Sequence, residues 1–134
     1  MARYLLDTSA LLTHYRQEAG WEIVQNLFEN IETEVEIASP TLVEFARRLH
    51  SLGAEDDTIQ QVVDSYTLLF TEIINIDRPV SMIAYSIGRQ TPDRLPLIDA
   101  LIAAAAQMNE AVLVHRDMHM AAIPANHVSQ LLLI

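Results

Sequence analysis

The chain has 134 residues, 51% of them hydrophobic, and a formal charge of -10 at pH 7, which fits one domain around one core over residues 1–134. It contains neither cysteine nor lysine, so disulfides, thiolate zinc sites, Schiff-base enzymes and the phosphate-binding P-loop are excluded. No apolar run approaches the roughly 18 residues of a membrane span, and we find no signal segment, so we expect a cytoplasmic protein without a membrane partner.

The first half of the chain predicts helices that alternate with strands. Apolar residues run together or alternate in the strands and recur every three or four residues in the helices. Thr8 or Ser9 can cap the first helix, and Ser39 with Pro40 marks the start of the third, which Gly53 ends. The predicted elements are a strand over 3–6, a helix from 8 or 9, a helix over 21–31, a strand over 34–38, a helix over 41–52 and a helix over 55–69.

The second half continues the alternation. Gly88 closes one predicted helix, and a polar loop with two prolines follows it. The predicted elements are a strand over 72–76, helices over 79–88 and 97–108, a strand over 111–114 and a last strand over 127–134. Strands separated by helices in this order predict an α/β fold, with a parallel sheet covered on both faces.

Two carboxylates come shortly after predicted strands. Asp7 directly follows the first strand, and Asp117 follows the fourth, separated from it by His115 and Arg116. In such folds, ligand sites lie at the carboxyl ends of the strands, where the sheet changes winding direction. The two carboxylates face one crevice if their strands are neighbours. Each also has a plainer interpretation, since Asp7 can cap the next helix and Asp117 can belong to a turn before a short helix.

Two further carboxylates lie on predicted helices. Asp99 is the one polar side chain between Leu97 and Ala106, on a helix that is apolar all round and therefore predicted to be buried. An unpaired buried carboxylate costs several kcal/mol, so Asp99 needs a cation, donors or water, unless it only complements the helix dipole. Glu44 points away from the apolar stripe of its helix, and its plainer interpretation is a surface pair with Arg48.

The four carboxylates taken together indicate a metal centre. Four acids that converge on one crevice repel one another strongly unless hard divalent cations neutralise them. Sites built from oxygen ligands suit magnesium or manganese. The pattern therefore favours a magnesium or manganese site.

The chain resembles PIN-domain proteins, and among them the VapC-type toxin ribonucleases. The resemblance covers nearly the whole chain and rests on four motifs in the family's order and approximate spacing: LLDTSALL with Asp7, SPTLVEFARRL with Glu44, LPLIDALIAAAA with Asp99 and VLVHRD with Asp117. It implies a three-layer sandwich with a central parallel β-sheet flanked by helices, and one or two magnesium or manganese ions. It also implies endonucleolytic cleavage of RNA, a VapB-type antitoxin that blocks the site with a basic segment, and a homodimer.

The resemblance assigns roles to single residues within these motifs. Ser9 matches a hydroxyl that supports the site by fixing Asp7 or a metal-bound water. Thr8 is the second supporting candidate, with a helix cap as its alternative role. The residues that match the family's catalytic, metal-binding acids are Asp7, Glu44, Asp99 and Asp117.

Two histidines differ from the family's pattern. Many relatives have threonine or serine in place of His115, and some have another acid in place of His119. His119 can ligate manganese or contact a phosphate, but a lone histidine in a loop is more often solvated.

The charge of -10 opposes RNA binding, which depends largely on neutralising phosphates. Arginines close to the acids can compensate locally. Arg116, beside Asp117, is the first candidate for a contact with an RNA phosphate, whereas Arg47 and Arg48 can equally form structural ion pairs.

Hydrolysis by metal-activated water is the chemistry that this site predicts, and it leaves a 5′-phosphate and a 3′-hydroxyl. Haloacid-dehalogenase-type phosphatases also begin with an aspartate after the first strand, but they need a second aspartate where Ser9 stands. Response-regulator receivers need a lysine, so both classes are excluded. A PIN-like module that binds metal or protein without cleaving RNA stays open as an alternative.

Overall fold

The structure, a computed structural model, describes residues 2–133. The strands are β1 (Ala2–Leu6), β2 (Thr33–Ala38), β3 (Glu72–Ile74), β4 (Val112–His115) and β5 (Gln130–Leu132). The helices are α1 (Thr8–Tyr15), α2 (Trp21–Glu29), α3 (Ser39–Ser51), α4 (Asp56–Thr67), α5 (Arg78–Gln90), α6 (Leu97–Met108) and α7 (Met118–Ala121). Each predicted strand has a counterpart, although residue 134 of the last predicted strand lies outside the described residues.

The strands form one parallel sheet in the order β3-β2-β1-β4-β5. From β1, the sheet extends through β2 to β3 on one side and through β4 to β5 on the other, so its winding changes direction between β1 and β4. Leu6 lies opposite Val114 in this central pair. The predicted parallel sheet is confirmed, and the carboxyl ends of β1 and β4 meet where such sheets bind ligands.

Helices cover both faces of the sheet, and each face has its own core. Successive strand residues point to opposite faces, so Leu5 and Leu113 lie against α5, α6 and α7. Leu6 and Val114, the next residues along the same strands, lie against α1, α2, α3 and α4. All four side chains are fully buried. This arrangement confirms the three-layer sandwich of helices around a parallel sheet.

Helix α6 is buried over most of its length but not at its start. The alanines at 103–106 are fully buried, and their small side chains let the helix lie close to its neighbours. Leu97, in the first turn, is 72% exposed, so the prediction of a helix buried all round is wrong for this turn. Asp99, in the same turn, is half-buried rather than enclosed in the core. Within residues 2–133, no helix combines the length and apolar character that a membrane span requires.

The cap of α1 is Asp7. The sequence left Thr8, Ser9 and Asp7 open as caps, and the structure confirms Asp7, whose side chain accepts a hydrogen bond from the Ala10 N–H. Asp7 is suited to this position because its backbone is still extended at the end of β1. Thr8 and Ser9 then fall inside the first turn, which leaves their hydroxyls free to bind other groups.

The end of helix α5 and the length of strand β5 also differ from the predicted bounds, each for a local reason. Helix α5 continues through Gly88 to Gln90, since a glycine inside a helix costs only about 1 kcal/mol. It ends there because Thr91 precedes Pro92, and a residue before proline is driven out of the helical conformation. Strand β5 contains only the three residues that pair with the short strand β4.

Candidate metal centre

Four acids converge at the carboxyl ends of β1 and β4, in a crevice of about 480 Å³. Asp7 directly follows β1, and Asp117 follows β4. Glu44 lies in α3, and Asp99 lies in the first turn of α6. The structure thus brings together all four acids that the sequence singles out.

Asp7 is buried in this crevice, with 2% of its surface exposed. Its Oδ1 atom accepts hydrogen bonds from the Ser9 hydroxyl at 2.6 Å and from the Ala10 N–H at 2.8 Å. Burial raises the pKa of Asp7 to about 7, although both hydrogen bonds oppose the shift. The charges of Asp117 and Asp99 raise this pKa further. Asp7 is therefore a helix cap whose ionised form is disfavoured without a cation, so a cap and a candidate metal ligand are compatible roles for this residue.

Ser9 joins the two loops that carry the strand-end acids. Its hydroxyl donates to Asp7 and accepts a hydrogen bond from the Arg116 N–H at 2.8 Å. Because Arg116 directly precedes Asp117, this single hydroxyl fixes both ends of the crevice relative to each other. The contact agrees with the supporting role expected for Ser9.

Glu44 is held by Thr8. The Thr8 hydroxyl donates a hydrogen bond of 2.6 Å to Glu44 Oε1, which aims this carboxylate at the crevice. Within residues 2–133, Glu44 forms no ion pair with Arg48, so the interpretation of Glu44 as half of a surface pair finds no support. Of the two roles open to Thr8, supporting the site or capping a helix, its contact agrees with the first.

Asp99, Asp117 and His119 form a compact cluster within the centre. One ligand atom from each lies within 4.8 Å of the other two, a spacing at which one cation can contact all three. Asp117 caps the short helix α7, and its Oδ1 accepts a hydrogen bond from the His119 N–H at 2.8 Å. Burial, followed by the charges of Asp117 and Glu44, raises the pKa of Asp99 to about 6.

His119 lies at the edge of this cluster. Its Nδ1 atom lies 3.2 Å from Asp117 Oδ1, although its side chain is largely exposed. The sequence offers one signal for this placement: His119 comes two residues after a strand-end aspartate that caps a helix, which turns the two side chains to the same side.

His115 supports the centre from inside the core. It is fully buried, and its Nδ1 atom accepts a hydrogen bond from the Asp117 N–H at 3.1 Å. Since Nδ1 is an acceptor here, Nε2 carries the proton and donates it to Gln130 Oε1 at 2.7 Å. Gln130 donates in turn to the Ile123 carbonyl oxygen. His115 is therefore no ligand, but it fixes the loop that carries Asp117.

The arginines near the acids in sequence lie in different places. Arg47 and Arg48 line the crevice, one turn beyond Glu44 in α3. Arg116 points into an adjoining cavity, where its Nη1 atom lies 3.9 Å from Glu18 Oε1. Arg3 lies at the opposite end of β1 and pairs with Glu34 at 2.9 Å. Nearness in sequence therefore overstates the number of arginines at the site.

The donor set fits a hard divalent cation. Four carboxylates and one imidazole suit magnesium or manganese, which prefer oxygen ligands and accept a nitrogen. The raised pKa values of Asp7 and Asp99 reflect the cost of bringing carboxylates together in a partly buried crevice, and a divalent cation removes that cost. The described part of the chain thus contains a candidate divalent-metal site.

Comparisons with known proteins agree with this architecture. The family model of the PIN domain matches residues 4–126. VapBC2 from Rickettsia felis, solved with a DNA fragment from its promoter, is 18% identical and has a TM-score of 0.76 over 96% of this chain and 97% of that chain. DNA-bound VapBC from Salmonella typhimurium is also 18% identical, with a TM-score of 0.76 over 100% of both chains.

A third similar structure is VapBC-5 from Mycobacterium tuberculosis, a member of the VapBC family of toxin-antitoxin systems. It is 19% identical and has a TM-score of 0.70 over 98% of this chain and 99% of that chain. At such identities, the likeness to the solved structures concerns the fold alone. No curated protein matches the chain at a significant level.

Proposed function

The chain belongs to the PIN domain family, and from this premise we propose that it is a divalent-metal-dependent endoribonuclease and the toxin of a VapBC-type toxin-antitoxin pair. The observation that carries the proposal is the convergence of Asp7, Glu44, Asp99 and Asp117 on one crevice at the winding change of the sheet. An acidic crevice of this kind is a poor site for RNA unless it holds cations. With divalent ions it becomes a site for a scissile phosphate.

The metal would be magnesium or manganese, held by the four acids and His119. When bound, such an ion supplies Lewis-acid catalysis, polarising the phosphodiester and activating water for attack. The chain's own contribution is to hold the ligands in place before the substrate arrives. Ser9 fixes Asp7, Thr8 fixes Glu44, and His115 fixes the loop of Asp117.

The expected reaction is hydrolysis of the bond between phosphorus and the 3′-oxygen. Water adds to phosphorus, and the 3′-oxygen leaves with a proton, which gives a 5′-phosphate and a 3′-hydroxyl. The ribose 2′-hydroxyl takes no part in this route. Arg47 and Arg48, which line the crevice, are placed to neutralise the substrate's other phosphate charges.

A VapB-type antitoxin is the proposed protein partner, and a homodimer is the proposed assembly. Similar solved structures are of VapBC toxin-antitoxin proteins, and the likeness of fold supports the same partnership here. A basic antitoxin segment would find a complementary surface in the acidic crevice. A toxin that cuts cellular RNA would act in the cytoplasm, which agrees with the expectation from the sequence.

The test is cleavage of a labelled single-stranded RNA by purified protein with manganese, with Asp117→Asn as the inactive variant. Asp64→Asn is the matched control, because it removes the same charge from an exposed position in α4. We expect the wild type and Asp64→Asn to leave 5′-phosphate ends and Asp117→Asn to lose at least a hundredfold in rate. Equal rates for all three proteins would refute catalysis at this centre and favour a binding module.

A further inference from the structure

Three arginines from three elements surround a second cavity beside the acidic crevice. Arg16 directly follows α1, Arg48 lies in α3, and Arg116 lies in the loop after β4. We call these residues the arginine arc. We propose that the arginine arc binds the RNA phosphate next to the scissile one, so that the protein acts on RNA chains in preference to simple phosphodiesters. This proposal rests on the proposed nuclease function.

The second cavity borders the acidic crevice. It has a volume of about 280 Å³ and shares Ser9, Leu12 and Arg48 with the crevice as lining residues. A chain that runs from one cavity to the other therefore passes from the acids to the arginines without leaving the surface. This is the charge pattern that a polyanion needs, since one phosphate sits on metal and the next requires a cation of its own.

The position of Arg116 is tied to the metal centre through its backbone. Its N–H donates to the Ser9 hydroxyl at 2.8 Å, and the same hydroxyl donates to Asp7 at 2.6 Å. The start of the Arg116 side chain is thus fixed relative to a candidate metal ligand. A phosphate held by Arg116 would lie at a set distance from the phosphate being cut.

Glu18 occupies the space between two arginines of the arc. Its Oε2 atom lies 3.6 Å from Arg16 Nη1, and its Oε1 atom lies 3.9 Å from Arg116 Nη1. Both distances are long and all three side chains are more than a third exposed, so these pairs contribute little stability. A carboxylate held loosely between two guanidinium groups marks where a phosphate oxygen would be bound, and it is easily displaced.

The experiment compares two substrates with manganese: bis(p-nitrophenyl) phosphate, which reports on the metal centre alone, and a labelled single-stranded RNA. The variants are Arg16→Ala and Arg116→Ala. The control is Arg89→Ala, which removes the same charge from the exposed end of α5. We expect KM for RNA to rise about tenfold in both arc variants. KM for the small ester should stay close to the wild-type value, so the two effects should differ by about the same factor. We expect Arg89→Ala to match the wild type on RNA.

Two further measurements separate the arc from a merely structural role. The salt dependence of RNA binding, as log Kd against log salt concentration, should become shallower by about 0.7 for each arginine removed. Glu18→Gln should change RNA binding in the opposite direction, lowering Kd two- to threefold, because it removes the competing carboxylate. Binding is measured by fluorescence anisotropy on proteins that also carry Asp117→Asn, so the result does not depend on cleavage.

The outcomes distinguish this proposal from the proposed function. Equal losses on both substrates, or an unchanged salt slope in the arc variants, would overturn the arginine arc while leaving the nuclease intact. If the wild type cleaves neither substrate, the proposed nuclease function is refuted. The anisotropy measurement would then still decide the arc, since RNA binding that is indifferent to Arg16 and Arg116 refutes it.

Discussion

The Nδ1 atom of His115 accepts a hydrogen bond from the backbone N–H of Asp117, two residues further along the chain. A serine or threonine hydroxyl can accept an N–H at the same offset in a turn. The histidine that departs from the family's pattern therefore performs a task that the family's hydroxyl residues can also perform. This explains how a buried histidine can lie two residues from a candidate metal ligand without itself being a candidate.

Two substitutions of His115 distinguish the effect of its hydrogen bond to Asp117 from the effect of its side-chain volume. His115→Asn retains an acceptor for the Asp117 N–H, and we expect manganese affinity within about threefold of the wild type. His115→Leu fills the space but leaves the Asp117 N–H and the Gln130 Oε1 atom without the partners that His115 supplies, so it should weaken manganese binding by about 10- to 100-fold. Isothermal titration calorimetry at a temperature where all three proteins are folded measures this. Equal affinities for the two variants would show that the hydrogen bond is unimportant.

The raised pKa of Asp7 predicts how metal-free stability depends on pH. The folded pKa of about 7 exceeds the unfolded value near 3.8, so the folded state binds more protons between these values. The free energy of unfolding must then fall as pH rises from about 4 to 7, by at most about 4 kcal/mol for this group. Asp7→Asn keeps the cap of α1 and removes this loss. We expect it to be more stable than the wild type at pH 8 and of similar stability at pH 4.

Urea unfolding with EDTA at several pH values measures this difference. A wild type that is at least as stable as Asp7→Asn at pH 8 would contradict the prediction.

Manganese should stabilise the wild type through the carboxylates it binds. At a hundredfold excess over Kd, the gain in unfolding free energy is about 2.7 kcal/mol. Asp99→Asn should gain little from manganese. Without metal, at pH 8, it should be more stable than the wild type, because burial and neighbouring acids raise the pKa of Asp99 to about 6. Thermal unfolding with and without manganese measures both effects, and Asp64→Asn is expected to respond like the wild type.

The opposite pattern in that experiment is equally informative. If manganese had no effect and Asp99→Asn were destabilised, the acids would be structural, and the metal-centre proposal would fail.

Ser9→Ala should affect both loops of the crevice at once. It removes the donor to Asp7 and the acceptor for the Arg116 N–H, at a cost of about 1–2 kcal/mol in stability. Since the Ser9 hydrogen bond lowers the pKa of Asp7, its loss should shift the pH midpoint of manganese binding upward. Ser65→Ala, on the exposed face of α4, is the matched control. An unchanged midpoint in Ser9→Ala would argue that Asp7 does not bind the metal.

Substitutions of His119 test whether its imidazole is a ligand. His119→Ala should weaken manganese binding by about tenfold or more. His119→Asp should restore manganese binding. It should also raise the affinity for magnesium relative to manganese above the wild-type ratio, because a carboxylate is a harder ligand than an imidazole. The ratio of Kd values for the two metals is the readout, with His50→Ala in α3 as the control. If His119→Ala bound manganese as tightly as the wild type, the proposed ligand role would be excluded.

The sequence predicts the fold well because apolar periodicity determines which segments become strands and helices. It also predicts where Asp7 and Asp117 belong, since ligand sites form at the carboxyl ends of parallel strands. It could not establish that β1 and β4 are neighbours, because strand order depends on pairing across the sheet rather than on spacing along the chain. The convergence of Glu44 and Asp99 on the same crevice depends on that order.

The supporting contacts were harder to predict for a related reason. The function of His115 depends on Gln130, which reaches it only because β5 pairs with β4. The placement of His119 depends on a helix of four residues, too short to show a periodicity. The sequence left Thr8 open as a supporting residue or a helix cap, and the choice depends on Asp7: because Asp7 caps α1, the Thr8 hydroxyl is free to bind Glu44.

The hydrogen bond from the Arg116 backbone N–H to the Ser9 hydroxyl joins residues that are 107 positions apart in the chain. Such a contact forms only after most of the polypeptide has closed into a loop, an entropic cost that slows the folding of parallel sheets. A growing chain that has not yet reached β4 lacks both Asp117 and the strand that fixes Asp7. Metal binding at the proposed centre would therefore be a late event in folding, and it would report that the native state is complete.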